Sequence, residues 1–426
     1  MELSLAKLQS ALPEGGLFGG GGWRYSPEPL RLSVGEARQL MALGHPLAKF
    51  QQACDALYRR SAAGKLPGWL ATLLDAGKPD WMTRLQREPG TAGHFPRVIR
   101  PDLIWTAQGY SMTELDSVPG GIGMTAWLSR VYAEAGFAVL GGPDGMIDGF
   151  RALLPEGGTV LVSEEAADYR PEMVWLTRQL GPAWEVESAE SYQPDGRDLY
   201  RFFELFDWRS VAAVEGIAAA AAAGTARITP PIKPHLEDKL WLALLWSPVL
   251  KREWERVLRG SHLQRLREVV PFGWVLDASP LPPHAALPRL DAHSWEEVAR
   301  FSQKDRQLVL KISGFHETAW GSRGVFIGHD LPAAEWSERL LSALDQSQAQ
   351  PWMIQQFHEG RHITHPVFGD DGSVEMMQGR VRLCPYFFTD LAGKTSFGGC
   401  LATIVPTDKK KIHGMRDGVL VPCMVG

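Results

Sequence analysis

Two short runs of strand-forming residues lie next to each other near residue 100. Residues 98–105 are rich in valine, isoleucine, leucine and tryptophan, and a second run begins at Tyr110 and ends near Leu115. Gln108-Gly109 separates the runs, and a glycine in this position favours a tight turn. The sequence therefore predicts an antiparallel hairpin over residues 98–116, so the fold must contain a sheet that accommodates it.

Charged residues on this hairpin are expected on one face. Arg100 and Asp102 are two residues apart on the first strand, and Glu114 and Asp116 are two apart on the second. Side chains two apart on a strand share a face. Three carboxylates on one face repel each other unless cations lie among them, and such hard oxygen ligands suit magnesium that already carries nucleotide phosphates. Asp102, Glu114 and Asp116 are thus candidate metal ligands, and the Arg100 guanidinium could hold a phosphate or carboxylate.

A second interpretation of the same residues needs no ligand. They could be charges on the surface of a hairpin, with Arg100 paired to Asp102, because exposed ion pairs are common and contribute little. The residues alone leave both interpretations open.

Along the rest of the chain, the spacing of apolar residues changes several times between patterns typical of helices and of strands. Residues 34–87 repeat apolar positions every three or four residues, as helices that cover a core do. Residues 159–208 alternate between strand and helix patterns, which predicts a small doubly wound α/β unit. The alanine-rich stretch Ala212–Gly224 fits either a helix or a linker. From residue 307 onward strands dominate, so the fold class is expected to mix α/β and α+β parts.

These changes predict four segments along the chain. They are a mainly helical segment over 1–90, the hairpin and its following helix over 91–150, a small α/β domain over 151–225, and a last region over 226–426, which the resemblance described below implies is the nucleotide-binding region.

Composition and charge exclude several classes of protein. The net charge is -5, with 44 basic and 49 acidic residues, whereas proteins that mainly bind nucleic acid usually have a basic face. No apolar stretch is long enough to predict a membrane span, and no secretion signal is recognised at the start. Four widely spaced cysteines predict neither a zinc site nor a disulfide framework. We therefore expect a reduced, cytoplasmic protein whose main partner is neither nucleic acid nor a membrane.

A lysine in the last third of the chain has the surroundings of a phosphate ligand. Residues 308–312 form a predicted strand that contains Lys311, and the loop after it contains Gly314, Gly321 and Gly324. Backbone N–H groups of such a loop and an ammonium group can converge on nucleotide phosphates. Lys311 could equally be an exposed lysine at the end of a strand. Neither a GxxxxGK[ST] nor a GxGxxG motif is present between a strand and a helix, so a P-loop or Rossmann site is not supported.

Taken together, these residues resemble the circularly permuted ATP-grasp enzymes, in particular the synthetase domain of glutathionylspermidine synthase. That family carries R-x-D, eleven residues and then E-x-N. Here Arg100-x-Asp102 is followed after eleven residues by Glu114-x-Asp116. The resemblance runs from about residue 95 to the end and also rests on Lys239 in Glu-Asp-Lys-Leu-Trp, Lys311 in Val-Leu-Lys-Ile, Ile354-Gln355-Gln356-Phe357, and Gly398-Gly399-Cys400-Leu401.

The resemblance implies an ATP-grasp fold with a small pre-ATP-grasp α/β unit and a helical N-terminal segment, and it implies roles for single residues. Asp102, Glu114 and Asp116 would bind Mg2+, and Arg100 would stabilise an acyl phosphate. Lys239 and Lys311 would hold the phosphates of ATP, and Gln355, Gln356 and Phe357 would lie along the adenine edge.

The implied activity is a Mg2+- and ATP-dependent ligase that joins a carboxylate to an amine through an acyl phosphate. Its substrates would be an amino acid, a peptide or a polyamine. Two departures from the family pattern leave other activities open. Asp116 replaces the usual asparagine, and Ala402 and Thr403 stand where the family has a further arginine. Arg380 and Arg382 are the candidates to replace that arginine. The alternatives are a small-molecule kinase of the same fold and a nucleotide-binding protein that has lost catalysis.

Overall fold

The computed structural model of the protein describes residues 3–19, 22–279, 281–282, 285–319, 321, 323–409 and 417–426. The chain divides into two units, and each unit is built from separate stretches of sequence. Unit 1 comprises Met1–Gln52, Glu88–Ile232 and Gly360–Gly426, and unit 2 comprises Ala53–Arg87 and Lys233–Glu359. The four segments expected from the sequence divide the chain differently and remain a prediction.

A seven-stranded sheet organises unit 1. Its strands are β1 (Leu30–Leu32), β2 (Val98–Thr106), β3 (Gly109–Asp116), β12 (His362–Phe368), β13 (Val374–Thr389), β14 (Thr395–Pro406) and β15 (Val419–Val425). They lie in the order β1, β15, β14, β13, β2, β3, and β12 pairs with the first half of β13. Only the β1–β15 pair is parallel among these described strands.

The predicted hairpin is confirmed as β2 and β3. The two strands are antiparallel, with Asp102 opposite Glu114 and Arg100 opposite Asp116. The register shifts between Asp102 and Leu103, as at a β-bulge, which bends a strand locally. β2 also pairs with β13 on its other side, so the hairpin is anchored in the large sheet by its first strand.

A second sheet in unit 1 is parallel and four-stranded. It contains β4 (Gly158–Val162), β5 (Trp184–Ser188), β6 (Leu199–Phe202) and β7 (Ile228–Thr229), in the order β5, β4, β6, β7. All five residues of β4 are buried, as expected for a strand covered on both faces. The helix α9 (Arg170–Leu180) connects β4 to β5, which confirms the alternation predicted for residues 159–208.

The remaining helices of unit 1 cover these sheets. Ser33 caps the first of the helices predicted over 34–87, because its side chain accepts from the N–H of Glu36 while the Glu36 carboxylate accepts from the N–H of Ser33. The alanine-rich stretch is a helix, and it ends where Gly224 takes a left-handed conformation with φ of 71°. The helices are α1 (Leu5–Ala11), α2 (Gly16–Gly19), α3 (Val34–Met41), α4 (Gly44–Ala62), α7 (Ile122–Glu134), α8 (Gly145–Arg151) and α10 (Val214–Ala223), with α4 continuing into unit 2.

Unit 2 is built on an antiparallel sheet of four strands. These are β8 (Gly273–Val275), β9 (Leu308–Ile312), β10 (Val325–Ile327) and β11 (Trp352–Gln356), in the order β10, β9, β11, β8. Its helices are α5 (Trp69–Asp75), α6 (Asp80–Leu85), α11 (Leu240–Leu244), α12 (Lys251–Val257), α13 (Gly260–Val269), α14 (Trp295–Ala299) and α15 (Ala333–Gln346). The core of the unit joins the alternate residues Leu308, Leu310 and Ile312 of β9 to Trp336 and Leu340 of α15.

The segment around Lys239 begins as a 3-10 turn and continues as a short α-helix. A 3-10 turn covers Pro234–Glu237, and the α-helix α11 begins only after Lys239. The Asp238 side chain accepts from the N–H of Leu240 and also pairs with Lys78 at 2.7 Å. These contacts fix Asp238 outside the helix, and the pairing with Lys78 cannot be read from local periodicity.

None of the helices among the described residues is long and apolar enough to cross a membrane.

Candidate functional site

The charged residues of the hairpin form one cluster on unit 1, which we call the hairpin cluster. Arg100 and Asp102 on β2 lie opposite Asp116 and Glu114 on β3, so the four side chains share a face. Nη2 of Arg100 donates to Oδ2 of Asp116 at 2.8 Å, and its Nε lies 3.0 Å from Oδ1 of Asp102. The prediction that these four charged side chains lie on one face of the hairpin is therefore confirmed.

Arg382 brings a second guanidinium to the hairpin cluster. It lies on β13 beside β2, and its Nη1 donates to Oδ2 of Asp102 at 3.0 Å. Arg380, two residues earlier on the same strand, instead donates to the backbone carbonyl of Lys409. Arg380 and Arg382 are the candidates to replace an arginine that the family has and this chain lacks. Of the two, Arg382 is the one that contacts a carboxylate of the hairpin cluster.

The ion pair expected under the second interpretation is also present, but it is not on an exposed surface. The side chains of Arg100 and Asp102 are 13% and 7% exposed. The thiol of Cys384 lies 3.5 Å from Oδ1 of Asp102 as a further donor. A charge pair at this depth keeps more of its Coulomb energy than a surface pair, because solvent screens it less.

Burial and charge shift the pKa values within the hairpin cluster. Burial works to lower the pKa of Arg100, but Asp102 and Asp116 outweigh it, so the pKa lies well above its ordinary value. Burial raises the pKa of Asp116; Arg100 opposes that rise, and Glu114 and Asp102 add to it. Arg100 is thus permanently charged, whereas Asp116 holds a proton more readily than an exposed aspartate.

The hairpin cluster has the donor chemistry of a magnesium site but not its arrangement. Both oxygens of Asp102 face guanidinium groups, and Asp116 accepts from Arg100 and from the N–H of Val118. Among the described residues, no group of three or more histidine, cysteine, aspartate or glutamate side chains is positioned to hold a metal ion. Magnesium at Asp102, Glu114 and Asp116 would therefore require the arginines to turn away from the carboxylates.

The predicted phosphate and adenine ligands lie in unit 2. Lys311, in β9, donates to the amide oxygen of Gln355 in β11 at 2.7 Å. Lys239 directly precedes α11 and donates to the carbonyl of Ala319 at 2.6 Å. Both lysines are buried.

Two further contacts define this part of unit 2. Gln356 ends β11, and Phe357 follows it with its ring 4.5 Å from that of His329. The hydroxyl of Ser313, which follows β9, donates to Asp238 at 2.9 Å. The end of β9 is thereby held beside the residue that precedes Lys239.

A buried charge cluster in unit 2 has no counterpart in the sequence interpretation. Oδ1 of Asp55 lies 2.9 Å from Nζ of Lys233 and 3.0 Å from Nε2 of His235, and Oδ2 lies 3.0 Å from Nε of Arg59. The His235 ring stacks on Tyr58 with centroids 4.0 Å apart. We call these residues the Asp55 cluster. Of the contacts that Asp55 makes with Lys233, His235 and Arg59, only the one with Arg59 joins residues close in sequence, so spacing gave no signal for the other two.

No protein-family model matches the sequence, and no curated protein matches it either. Among solved structures, the chain is similar to a glutathione synthetase-like effector from Globodera pallida in its apoform. The TM-score is 0.57 and the identity 13%, over 99% of this chain and 97% of that one. A putative gamma-glutamylcysteine synthetase from Methylobacillus flagellatus KT aligns with a TM-score of 0.38 and 10% identity, over 91% of this chain and 87% of that one, which does not indicate a shared fold. The first match shows that the chain has a mixed α/β fold like that of the effector.

Proposed function

We propose that the protein is an ATP-dependent ligase of the ATP-grasp type that joins a carboxylate to an amine. The observation that carries the proposal is the position of Arg100, Asp102, Glu114 and Asp116 in paired register on one hairpin face. They occupy it within a fold similar to that of a glutathione synthetase-like effector over nearly the whole chain. The relation to the circularly permuted glutathionylspermidine synthase group belongs to this proposal and rests on the motifs alone.

The chemistry of amide formation explains what the residues would do. ATP would supply the phosphoryl group that turns a carboxylate into an acyl phosphate, which an amine attacks. In such reactions the protein mainly positions the reactants and offsets charge. The ammonium groups of Lys239 and Lys311 would hold the phosphates, and residues 355–357 would border the adenine. Arg100 would place a fixed positive charge beside the reacting carboxylate, and such a donor is typically worth a few kcal/mol in the transition state.

The binding of magnesium by Asp102, Glu114 and Asp116 is the part of the proposal that requires the largest rearrangement of side chains. It requires Arg100 and Arg382 to move to the phosphate or the acyl group when nucleotide arrives. Calorimetric titration with Mg2+, with and without a non-hydrolysable ATP analogue, tests this directly. We expect weak binding to the protein alone and at least tenfold tighter binding in the presence of the analogue.

The proposed ligase activity is tested by measuring ATP turnover. ADP release is measured with mixtures of amino acids, short peptides and polyamines as acids and amines. Asp102→Ala and Glu114→Ala should abolish it while circular dichroism stays unchanged. Asp370→Ala, which removes an exposed carboxylate in a loop of unit 1, is the matched control and should keep wild-type turnover. Wild-type turnover in Asp102→Ala would contradict the assignment of the hairpin cluster.

A nucleotide-binding protein without catalysis is the second candidate. It is favoured by one observation, namely that guanidinium groups face both oxygens of Asp102. ATP binding with no ADP formation across the whole substrate panel, in wild type and variants alike, would support this candidate over the ligase.

A further inference from the structure

A fully buried carboxylate lies one peptide group away from Arg100. Glu172, in the first turn of α9, has no exposed surface. Its Oε1 accepts from the N–H of Gly121 at 2.7 Å, and its Oε2 accepts from the N–H of Met124 at 2.9 Å. The first N–H groups of a helix lack partners within the helix and attract negative charge. Glu172 therefore caps the thirteen-residue helix α7 from outside it.

The peptide group between Gly120 and Gly121 joins Glu172 to Arg100. Its carbonyl oxygen accepts from Nη1 of Arg100 at 3.0 Å and from the hydroxyl of Tyr386 at 2.7 Å. Its N–H is the group that donates to Glu172. A cation on the carbonyl and an anion on the N–H polarise the same amide in the same direction, so each hydrogen bond strengthens the other.

The glycines of this segment are required by its packing. Gly121 has φ of 85°, in the left-handed region that glycine tolerates best. A Cβ on Gly120 would lie 2.0 Å from the ring of Tyr169, and one on Gly123 would lie 2.3 Å from the carbonyl oxygen of Glu172. The segment is thus held against the start of α9, which leaves its amide group little freedom to turn.

We propose that Glu172 is a positioning residue for Arg100 and acts through the Gly120–Gly121 peptide group. The ionised carboxylate fixes the amide, and the amide carbonyl fixes the Arg100 guanidinium beside Asp102 and Asp116. The consequence for catalysis rests on the proposed ligase function, whereas the coupling between Glu172 and Arg100 does not.

Glu172 is poised to change its charge near neutral pH. Burial raises its pKa to about 7, against the opposing effect of the backbone N–H groups and of Arg100. The titratable groups around it are Arg100 from β2, Tyr386 from β13, Tyr200 from β6, and Tyr169 just before α9. Burial raises the pKa of all three tyrosines, so they stay neutral while Glu172 titrates.

The first test is the pH profile of ADP release. In wild type the rate should rise through about pH 7 as Glu172 ionises. Glu172→Gln should lack that rise and run about tenfold below wild type at pH 8.5, with KM for ATP within twofold. Glu134→Gln alters an exposed residue at the other end of α7 and should follow wild type. A wild-type profile in Glu172→Gln would overturn the proposal.

The second test needs no turnover, so it separates failure of this inference from failure of the ligase function. Carbon-13 NMR of glutamate carboxyls follows the Glu172 signal, identified by its loss in Glu172→Asp or Glu172→Gln. Arg100→Gln should raise the pKa of Glu172 by at least one unit. Arg382→Gln removes a neighbouring charge that pairs with Asp102 and should have at most half that effect. Equal shifts in the two variants, or no shift in Arg100→Gln, would overturn the route through the peptide group.

Discussion

The hairpin cluster and the Asp55 cluster each surround an aspartate of low exposure with positively charged side chains, but the residues that supply the charge differ. In each, one aspartate is held by two cationic side chains, and Asp55 also contacts His235, whose pKa burial lowers to about 4. Asp102 pairs with Arg100 of its own strand and with Arg382 of the adjacent strand β13. Asp55 uses Lys233, His235 and Arg59, and Lys233 has no exposed side-chain surface. The two clusters thus hold an aspartate at similar depth with different cations.

The choice of cation also differs between the clusters. Arginine stays charged at any ordinary pH and presents several donors in a plane, which suits phosphate and carboxylate groups. A buried lysine loses its proton more easily. Burial lowers the pKa of Lys233 to about 8, although Asp55 opposes that change, whereas the pKa of Arg100 is raised.

Removing the acid from the Asp55 cluster should have the largest effect on stability. Asp55→Ala leaves the Lys233 ammonium group buried without its counter-charge, which typically costs about 3–5 kcal/mol. Urea denaturation measures the free energy of unfolding, with the exposed Asp345→Ala of the same unit as control. A loss of less than about 1 kcal/mol would show that the Asp55 cluster behaves like a solvated surface pair.

Removing one arginine from the hairpin cluster should affect turnover more than stability. Arg382→Gln leaves Asp102 paired with Arg100, so we expect the urea midpoint to stay near that of wild type. ADP release should fall about a hundredfold, as when one charge-stabilising donor is lost. Arg380→Gln, two residues away on β13, is the control and should keep its turnover. An equal loss in both variants would mean that the position of Arg382 beside Asp102 has no special role.

The smallest effect is expected in alkaline solution. Between about pH 8 and 10.5 the unfolded chain keeps a proton on Lys233 that the folded protein has released. Lys233 therefore contributes stability that grows with pH over this range. The buried thiols of Cys54, Cys384 and Cys400, which ionise more readily in the unfolded chain, act in the opposite direction. The urea midpoint of Lys233→Met should therefore fall more steeply with pH than that of the exposed Lys251→Met. Equal pH dependences in the two variants would contradict the role of Lys233.

The contrast also explains which parts of the molecule were predictable. The hairpin follows from adjacent segments, and its charged face follows from the two-residue period of a strand. The strand β9 has the predicted bounds, residues 308–312, for the same local reason. Pairings between distant segments left no periodic signal. Asp55 meets Lys233 across the packing of unit 2, and Glu172 reaches Gly121 from another helix.

Strand order in the large sheet has a consequence for the newly made protein. The strands β13, β14 and β15 are synthesised last, yet they lie between β1 and β2, which are synthesised early. While translation continues, the nascent β2–β3 hairpin has no neighbour for the outer edge of β2, and an open strand edge invites pairing with other chains. We therefore expect chaperones that bind exposed strand edges to favour correct folding of this protein until β13 leaves the ribosome and pairs with β2.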